Sequence, residues 1–118
     1  MDTREAILNF QYSEKMKSGL IIGTDLLNQL VSLKNDELSG GKKVLIWYLE
    51  GLLREVRIAE NVFGWSHYMD LERKLMEVIG RVKMSQFQEI QQSFSEAISL
   101  ATTSCQASLN FLIEKKLV

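Results

Sequence analysis

The chain has 118 residues, a net charge of −1 and a hydrophobic content of 46%, values that suit one globular domain and argue against a disordered chain. Because the charge is almost balanced, no overall positive field draws in nucleic acid or an anionic membrane, and we expect neither as a partner. The single cysteine excludes an internal disulfide. The chain lacks both a signal-peptide pattern and the run of about 18 apolar residues that a membrane span requires, so we expect a cytoplasmic protein.

The chain contains no proline, whereas average usage is about 5%. Proline breaks helix interiors and is common in turns, so its absence indicates long helices joined by few turns. Three breaks are predicted from turn and cap residues: the Gly40–Gly41 pair within Lys34 to Lys43, Gly64 as a C-cap followed by Ser66 as an N-cap, and Ser85 with Gln88 as a capping box. These breaks divide the chain into four segments.

The first segment runs from about Asp2 to Lys34, and Asp2 with Glu5 has the spacing of a capping box. If Gly19 and Gly23 fill a gap in the pattern, its apolar positions follow a helical spacing: Tyr12, Met16, Leu26, Leu30 and Leu33. Each glycine inside a helix costs about 1 kcal/mol relative to alanine. The pair therefore marks either a bend or, as we interpret it, a point of close helix packing.

The second segment runs from Lys42 to Phe63, and its apolar residues at alternating intervals of four and three predict a helix with one core face. This core face consists of Leu45, Leu49, Leu52, Val56, Ala59 and Phe63. The third segment, from about His67 to Lys83, repeats the same rhythm from Tyr68 to Val82 and is shorter. The fourth, from Ser85 to about Lys116, is long and rich in small residues around Cys105.

No segment alternates apolar and polar residues, so strands are not expected. Four amphipathic helices joined by short loops predict an all-α four-helix bundle, most simply up-down-up-down, with long first and last helices. The whole chain, residues 1–118, is predicted to form this single domain.

The second segment also carries a second apolar stripe, which lies well over a quarter turn from its core face at roughly 100° per residue. The stripe consists of Val44, Trp47, Gly51, Ile58 and Val62. One interpretation is that the chain covers both stripes itself, with a neighbouring helix on each side. The other is a homodimer through the Trp47 face, since tryptophan is enriched at the energetic centres of interfaces. A different, unidentified protein partner also remains open.

Residues for catalysis or metal binding are sparse. His67 is the only histidine and no Glu-x-x-His occurs, so the di-metal carboxylate site of some bundles is excluded. A cluster of Glu60, His67 and Asp70 near one corner would be a weak metal signal, and Cys105 has no nearby base in sequence. We therefore expect no catalytic residues, no metal ligands and no cofactor.

Three functions stay open: an assembly or adaptor protein, a small-ligand sensor and an enzyme. The sequence favours a non-enzymatic assembly or adaptor protein that acts through helix surfaces, as a homodimer. A small-ligand sensor is the alternative, with a pocket in the bundle core near Ala97, Ala101 and Cys105, beside Phe87 or Phe94. A metal-dependent enzyme is less favoured, because it would need carboxylates or His67 to converge in a cleft. A nucleic-acid-binding subunit is less favoured as well, because the basic residues of the third segment alternate with glutamates.

Overall fold

The computed structural model describes residues 1–63 and 68–118, and four helices lie within them. Their bounds are α1 Thr3–Leu30, α2 Asn35–Phe63, α3 Met69–Lys83 and α4 Phe87–Glu114. α1 packs against α2 and α4, and α3 packs against the same two helices. Short connections make consecutive helices antiparallel, so the chain forms the up-down-up-down four-helix bundle that the sequence predicts.

α1 begins as predicted, with the Asp2 side chain accepting a hydrogen bond from the backbone N–H of Glu5 at 2.8 Å. The helix continues without a break through both glycines. A Cβ at Gly19 would lie 2.5 Å from Leu52 of α2, and one at Gly23 would lie 2.9 Å from the ring of Phe94 in α4. Both glycines therefore lie where a neighbouring side chain packs directly on the α1 backbone.

The predicted turn around Gly40–Gly41 is wrong. Residues 31–34 make the turn, Asn35 takes a left-handed φ of 55°, and α2 begins there and is the longest helix, at 29 residues. Gly41 lies inside α2, where an added Cβ would be 2.7 Å from Leu30. A pair of glycines signals either a turn or close packing, and here packing against α1 accounts for Gly41.

The capping box predicted at Ser85 is also wrong. Ser85 has a φ of 57°, and its hydroxyl accepts a hydrogen bond from Lys42 Nζ at 2.7 Å rather than capping α4. α4 begins at Phe87 after Gln86, which makes no side-chain cap. The predicted caps at Gly64 and Ser66 lie outside the described residues.

The core lies between the four helices and is filled mainly by aliphatic side chains, with the buried aromatic rings of Phe94 and Tyr68 among them. The predicted core face of α2 is buried except for Phe63, which is half-buried. Burial of each such aliphatic side chain contributes about 1.5–3 kcal/mol. In α1, Leu27 is buried and Leu26 is 38% exposed, so the predicted core position is displaced by one residue.

α3 has 15 residues and spans about 22 Å, about half the length of α4. Lys74, near the start of α3, pairs with Glu96 of α4 at 2.7 Å. The last dozen residues of α4 therefore extend past the start of α3, and the first part of α1 packs on them instead, with Asn9 reaching Ser104 and Ser108. The unequal helix lengths thus leave one side of α4 open.

Two glycine substitutions should change stability in opposite directions. Gly23→Ala should lower the free energy of unfolding by about 1–3 kcal/mol, because the new methyl would press on the buried Phe94 ring. Gly40→Ala should raise it by about 0.5–1 kcal/mol, since nothing lies within 4 Å of a Cβ there. Urea unfolding followed by circular dichroism measures both, and equal effects would contradict this packing.

Candidate functional site

The outer stripe of α2, defined as Val44, Trp47, Gly51, Ile58 and Val62, lies at the surface. The exposed fraction is 66% for Trp47, 58% for Val44, 50% for Val62 and 48% for Ile58. Gly51 is half-buried. The four large apolar side chains of the stripe therefore contact water in the isolated chain. The hypothesis that the chain itself buries the stripe is wrong.

The position of the stripe follows from the helices that flank α2. On one side, Tyr48 donates a hydrogen bond to the backbone carbonyl of Gly19 in α1 at 2.6 Å. On the other side, Arg57 donates to Glu72 of α3 at 3.3 Å. With α1, α3 and the core occupying these directions, only the outward direction remains for Trp47 and its neighbours. The identification of this stripe as an interface stays a prediction.

Two α1 residues border the stripe and were missed by the sequence reasoning. Ile22 is 51% exposed and Leu26 is 38% exposed, and both lie on the turns of α1 beside Gly23, which packs against Leu49 of α2. The helical period places them on the outer side of α1 that faces α2. The signal was the pair Leu26–Leu27, which has one residue more than the core face needs, and the pair Ile21–Ile22, both of which are exposed.

Charged residues line the stripe on the side that faces α3. Glu50 and Arg54 make no ion pair or hydrogen bond with any described residue. The guanidinium of Arg54 lies over Gly51, 3.8 Å from the place a Cβ would take. On the α1 side, Glu55 pairs with Lys15 at 3.0 Å. The free charges are therefore confined to one edge of the stripe.

A buried polar cluster lies where α1, α4 and the start of α3 meet. Asn9 donates to the hydroxyls of Ser104 and Ser108, and its carbonyl oxygen accepts from Tyr68. Ser13 donates to Ser104 at 2.9 Å. Burial raises the pKa of the Tyr68 phenol, so it stays a neutral donor at neutral pH. The cluster ties the first part of α1 to α4.

The sequence carries a signal for this cluster that was overlooked. Apart from Gly19, the buried residues of α1 recur at intervals of three and four, and Asn9 and Ser13 occupy two of those positions. They are Ala6, Asn9, Ser13, Met16, Leu20, Gly23, Leu27 and Leu30. Polar residues at buried positions of the helical repeat require hydrogen-bond partners. The small hydroxyl residues of α4 supply them.

An open groove of about 660 Å³ runs along α4 beside the polar cluster. It is lined by Ser95, Ser99 and Thr103 of α4, with Lys74 of α3 and Asn9 of α1 at its edge. Lys74 also pairs with Glu77 at 2.8 Å and with Glu96. The groove lies on the outer side of α4, whereas Ala97, Ala101 and Cys105, beside which a core pocket was predicted, are buried.

Cys105 and the weak metal cluster of Glu60, His67 and Asp70 were the candidates for catalysis or metal binding. Cys105 is buried and its thiol donates to Glu14 at 3.4 Å, and burial raises the pKa of this thiol, which disfavours the reactive thiolate. Of the weak metal cluster, His67 lies outside the described residues. Within residues 1–63 and 68–118, no three histidine, cysteine or carboxylate side chains come together in a metal-binding arrangement.

Glu60 of α2 and Glu72 of α3 form a carboxyl pair where these two helices meet. Burial, together with the hydrogen bond and the charge of Glu72, raises the pKa of Glu60 to about 7. The pKa of Glu72 is lowered by its hydrogen bond to Glu60 and by Arg57. Glu60 Oε1 is buried with no hydrogen-bond partner among the described residues. Glu60 therefore holds the proton of the pair near neutral pH.

Stability should depend on pH through Glu60. A raised carboxyl pKa means that the folded chain keeps a proton that the unfolded chain releases, so the free energy of unfolding should fall as pH rises from about 4.5 to about 7. Glu60→Gln should flatten that slope by up to about one proton per molecule. Urea unfolding at several pH values measures the slope, and an equal slope in both proteins would contradict this assignment.

Comparison with protein-family models, with curated proteins and with solved structures finds no match for this chain. Among the described residues, no helix combines the length and apolar character that crossing a bilayer requires.

Proposed function

We propose that this chain is a non-enzymatic, cytoplasmic assembly or adaptor protein that acts through its helix surfaces as a homodimer, with the outer stripe of α2 as the contact. The observation that supports it is the 66% exposure of Trp47 within a line of exposed apolar side chains. Tryptophan dominates the energy of many interfaces, and its large apolar surface is costly to leave in water.

The size of the apolar patch is consistent with a contact. With Ile22 and Leu26 included, the exposed apolar side chains offer roughly 500 Å² per copy, near the upper end of the apolar patches found on monomers, which are often functional. A standard interface buries about 800 Å² per partner. The stripe and its polar rim together approach that area.

The charges on α3 support a protein partner over nucleic acid. Lys74 is bound by Glu77 and Glu96, and Arg81 lies 3.4 Å from Glu77. Arg73 lies 3.6 Å from Asp70. A phosphate backbone requires free cationic side chains along one face, and carboxylates neutralise this one.

The second candidate function is a small-ligand sensor, and the groove along α4 favours it. Hydroxyl side chains of Ser95, Ser99 and Thr103, together with the amide of Asn9, offer donors and acceptors to a small polar ligand. A ligand there would contact the polar cluster that joins α1 to α4 and would stiffen that end of the bundle.

The Trp47→Glu variant tests the proposed homodimer. It should remain folded, because Trp47 is largely outside the core, and it should turn a dimer into a monomer, since a carboxylate is costly to desolvate in an apolar contact. Light scattering measures the mass and circular dichroism the helix content. The matched control is Ile113→Glu, which changes a 52% exposed side chain on α4 and should leave the mass unchanged. A monomeric natural chain, or a dimeric Trp47→Glu protein, would contradict the proposal.

The groove is tested with a fragment library of small polar molecules, followed by ligand-observed NMR. Fragments that bind the natural chain should bind the Ser99→Trp variant about tenfold or more weakly, because the indole fills the groove. Equal binding to both proteins, or no binding fragment, would contradict the sensor function.

A further inference from the structure

The outer stripe also specifies how two copies would meet. Resting on the proposed homodimer, we infer that α2 packs against α2 of a second copy in an antiparallel, two-fold arrangement whose axis passes between Gly51 and Arg54. The partner is thus a second copy of this chain, and its own outer stripe is the surface that covers the first.

The spacing of the stripe is that of a two-helix seam. Val44, Gly51 and Ile58 recur every seven residues, as do Trp47, Arg54 and Asn61. Two such lines facing a partner helix have the spacing of a coiled-coil seam, here with four members of the outer stripe and with the polar residues Arg54 and Asn61 continuing the second line. Within the described residues no helix of the same chain covers them, because α1 and α3 contact α2 at its sides.

Side-chain sizes favour the antiparallel direction. In that direction Trp47 packs on Ile58 of the partner subunit and Gly51 faces Arg54 of the partner subunit, so the tryptophan avoids its own copy and the glycine meets a long side chain. In a parallel pair each residue would meet its own copy. Two tryptophans would crowd one layer, two arginines another, and the glycine layer between them would be empty.

Charges favour the same direction. Glu50 and Arg54 have no partner among the described residues of their own chain. The antiparallel pair brings Glu50 beside Arg54 and Arg57 of the partner subunit, and the two-fold axis repeats this contact. A parallel pair would place Arg54 against its own copy and Glu50 beside Glu55 of the partner subunit, which are both like-charge contacts.

The two-fold axis also accounts for the exposed residues of α1. In an antiparallel pair, the same edges of the two helices meet. The edge of α2 that carries Tyr48 and Glu55 adjoins α1, so α1 of each copy lies on the same side of the contact. Ile22 and Leu26 of both copies are then brought toward each other and extend the apolar contact beyond α2.

Cysteine cross-linking tests the arrangement in the full chain. Cys105→Ser removes the natural thiol, and Val44→Cys and Asn61→Cys are introduced on separate chains, which are then co-expressed. In the antiparallel pair these two positions face each other, whereas each lies about 25 Å from its own copy. A short bismaleimide should therefore cross-link the mixture and cross-link neither single variant. Light scattering of each protein before cross-linking reports the mass.

Each outcome decides the inference. Cross-linking in the mixture alone supports it. Efficient cross-linking of Val44→Cys to itself would overturn it in favour of a parallel pair. A dimer by mass in which neither the mixture nor the single variants cross-link would overturn the arrangement and leave the proposed homodimer standing. A monomer by mass would overturn both.

A charge exchange provides a second, independent readout. Glu50→Arg and Arg54→Glu should each weaken dimerisation by about tenfold, since each creates like-charge contacts across the axis. The double variant should dimerise more tightly than either single variant, because it restores the opposite-charge contact between positions 50 and 54, while the contact of position 50 with Arg57 of the partner subunit stays like-charge. A double variant as weak as the single ones would overturn the charge pairing.

Discussion

The packing of α2 governs the rest of the structure, because this helix carries two apolar stripes and the bundle can bury only one of them. In a square of four helices, each helix has one neighbour on either side and the core between them. Burial of Leu45, Leu49 and Val56 fixes the rotation of α2 about its axis. That rotation necessarily directs Trp47 and its neighbours to the outside, so the exposed stripe is the consequence of a well-filled core.

The same constraint explains the role of the small residues in α1. Gly19 and Gly41 let α1 and α2 approach closely, and Gly23 accepts the ring of Phe94 from α4. The close approach holds α2 at a fixed rotation and keeps the stripe continuous from Val44 to Val62. At the other end, the short α3 leaves α4 open, and the polar cluster around Asn9 secures α1 to α4 there.

Much of the fold could be predicted from the sequence, since the helical spacing of apolar residues identified the core face of α2 and both the short length and the core face of α3. The start of α2 could not be predicted, because the Gly40–Gly41 pair is typical of both a turn and a packing site. Only the position of Leu30 beside Gly41 shows that it is a packing site. Leu26 and Leu27 are adjacent and chemically identical, so the sequence could not tell which one is buried.

Only part of the candidate site could be predicted from the sequence. The stripe on α2 was visible because its residues share a face of one helix. Ile22 and Leu26 became part of the surface only through the pairing of α1 with α2, and the Asn9 cluster depends on three helices meeting. Contacts between elements distant in sequence have no local signature, whereas a face of one helix does.

The mass of the unmodified chain in solution tests most directly whether the outer stripe of α2 is the contact of a homodimer. Sedimentation equilibrium over a range of concentrations measures that mass without altering any residue. A mass near twice 13.5 kDa, falling to the single-chain value on dilution or remaining at the dimer value, is the predicted result. A mass of 13.5 kDa at every concentration would contradict the account, because the outer stripe of α2 would then stay exposed to water.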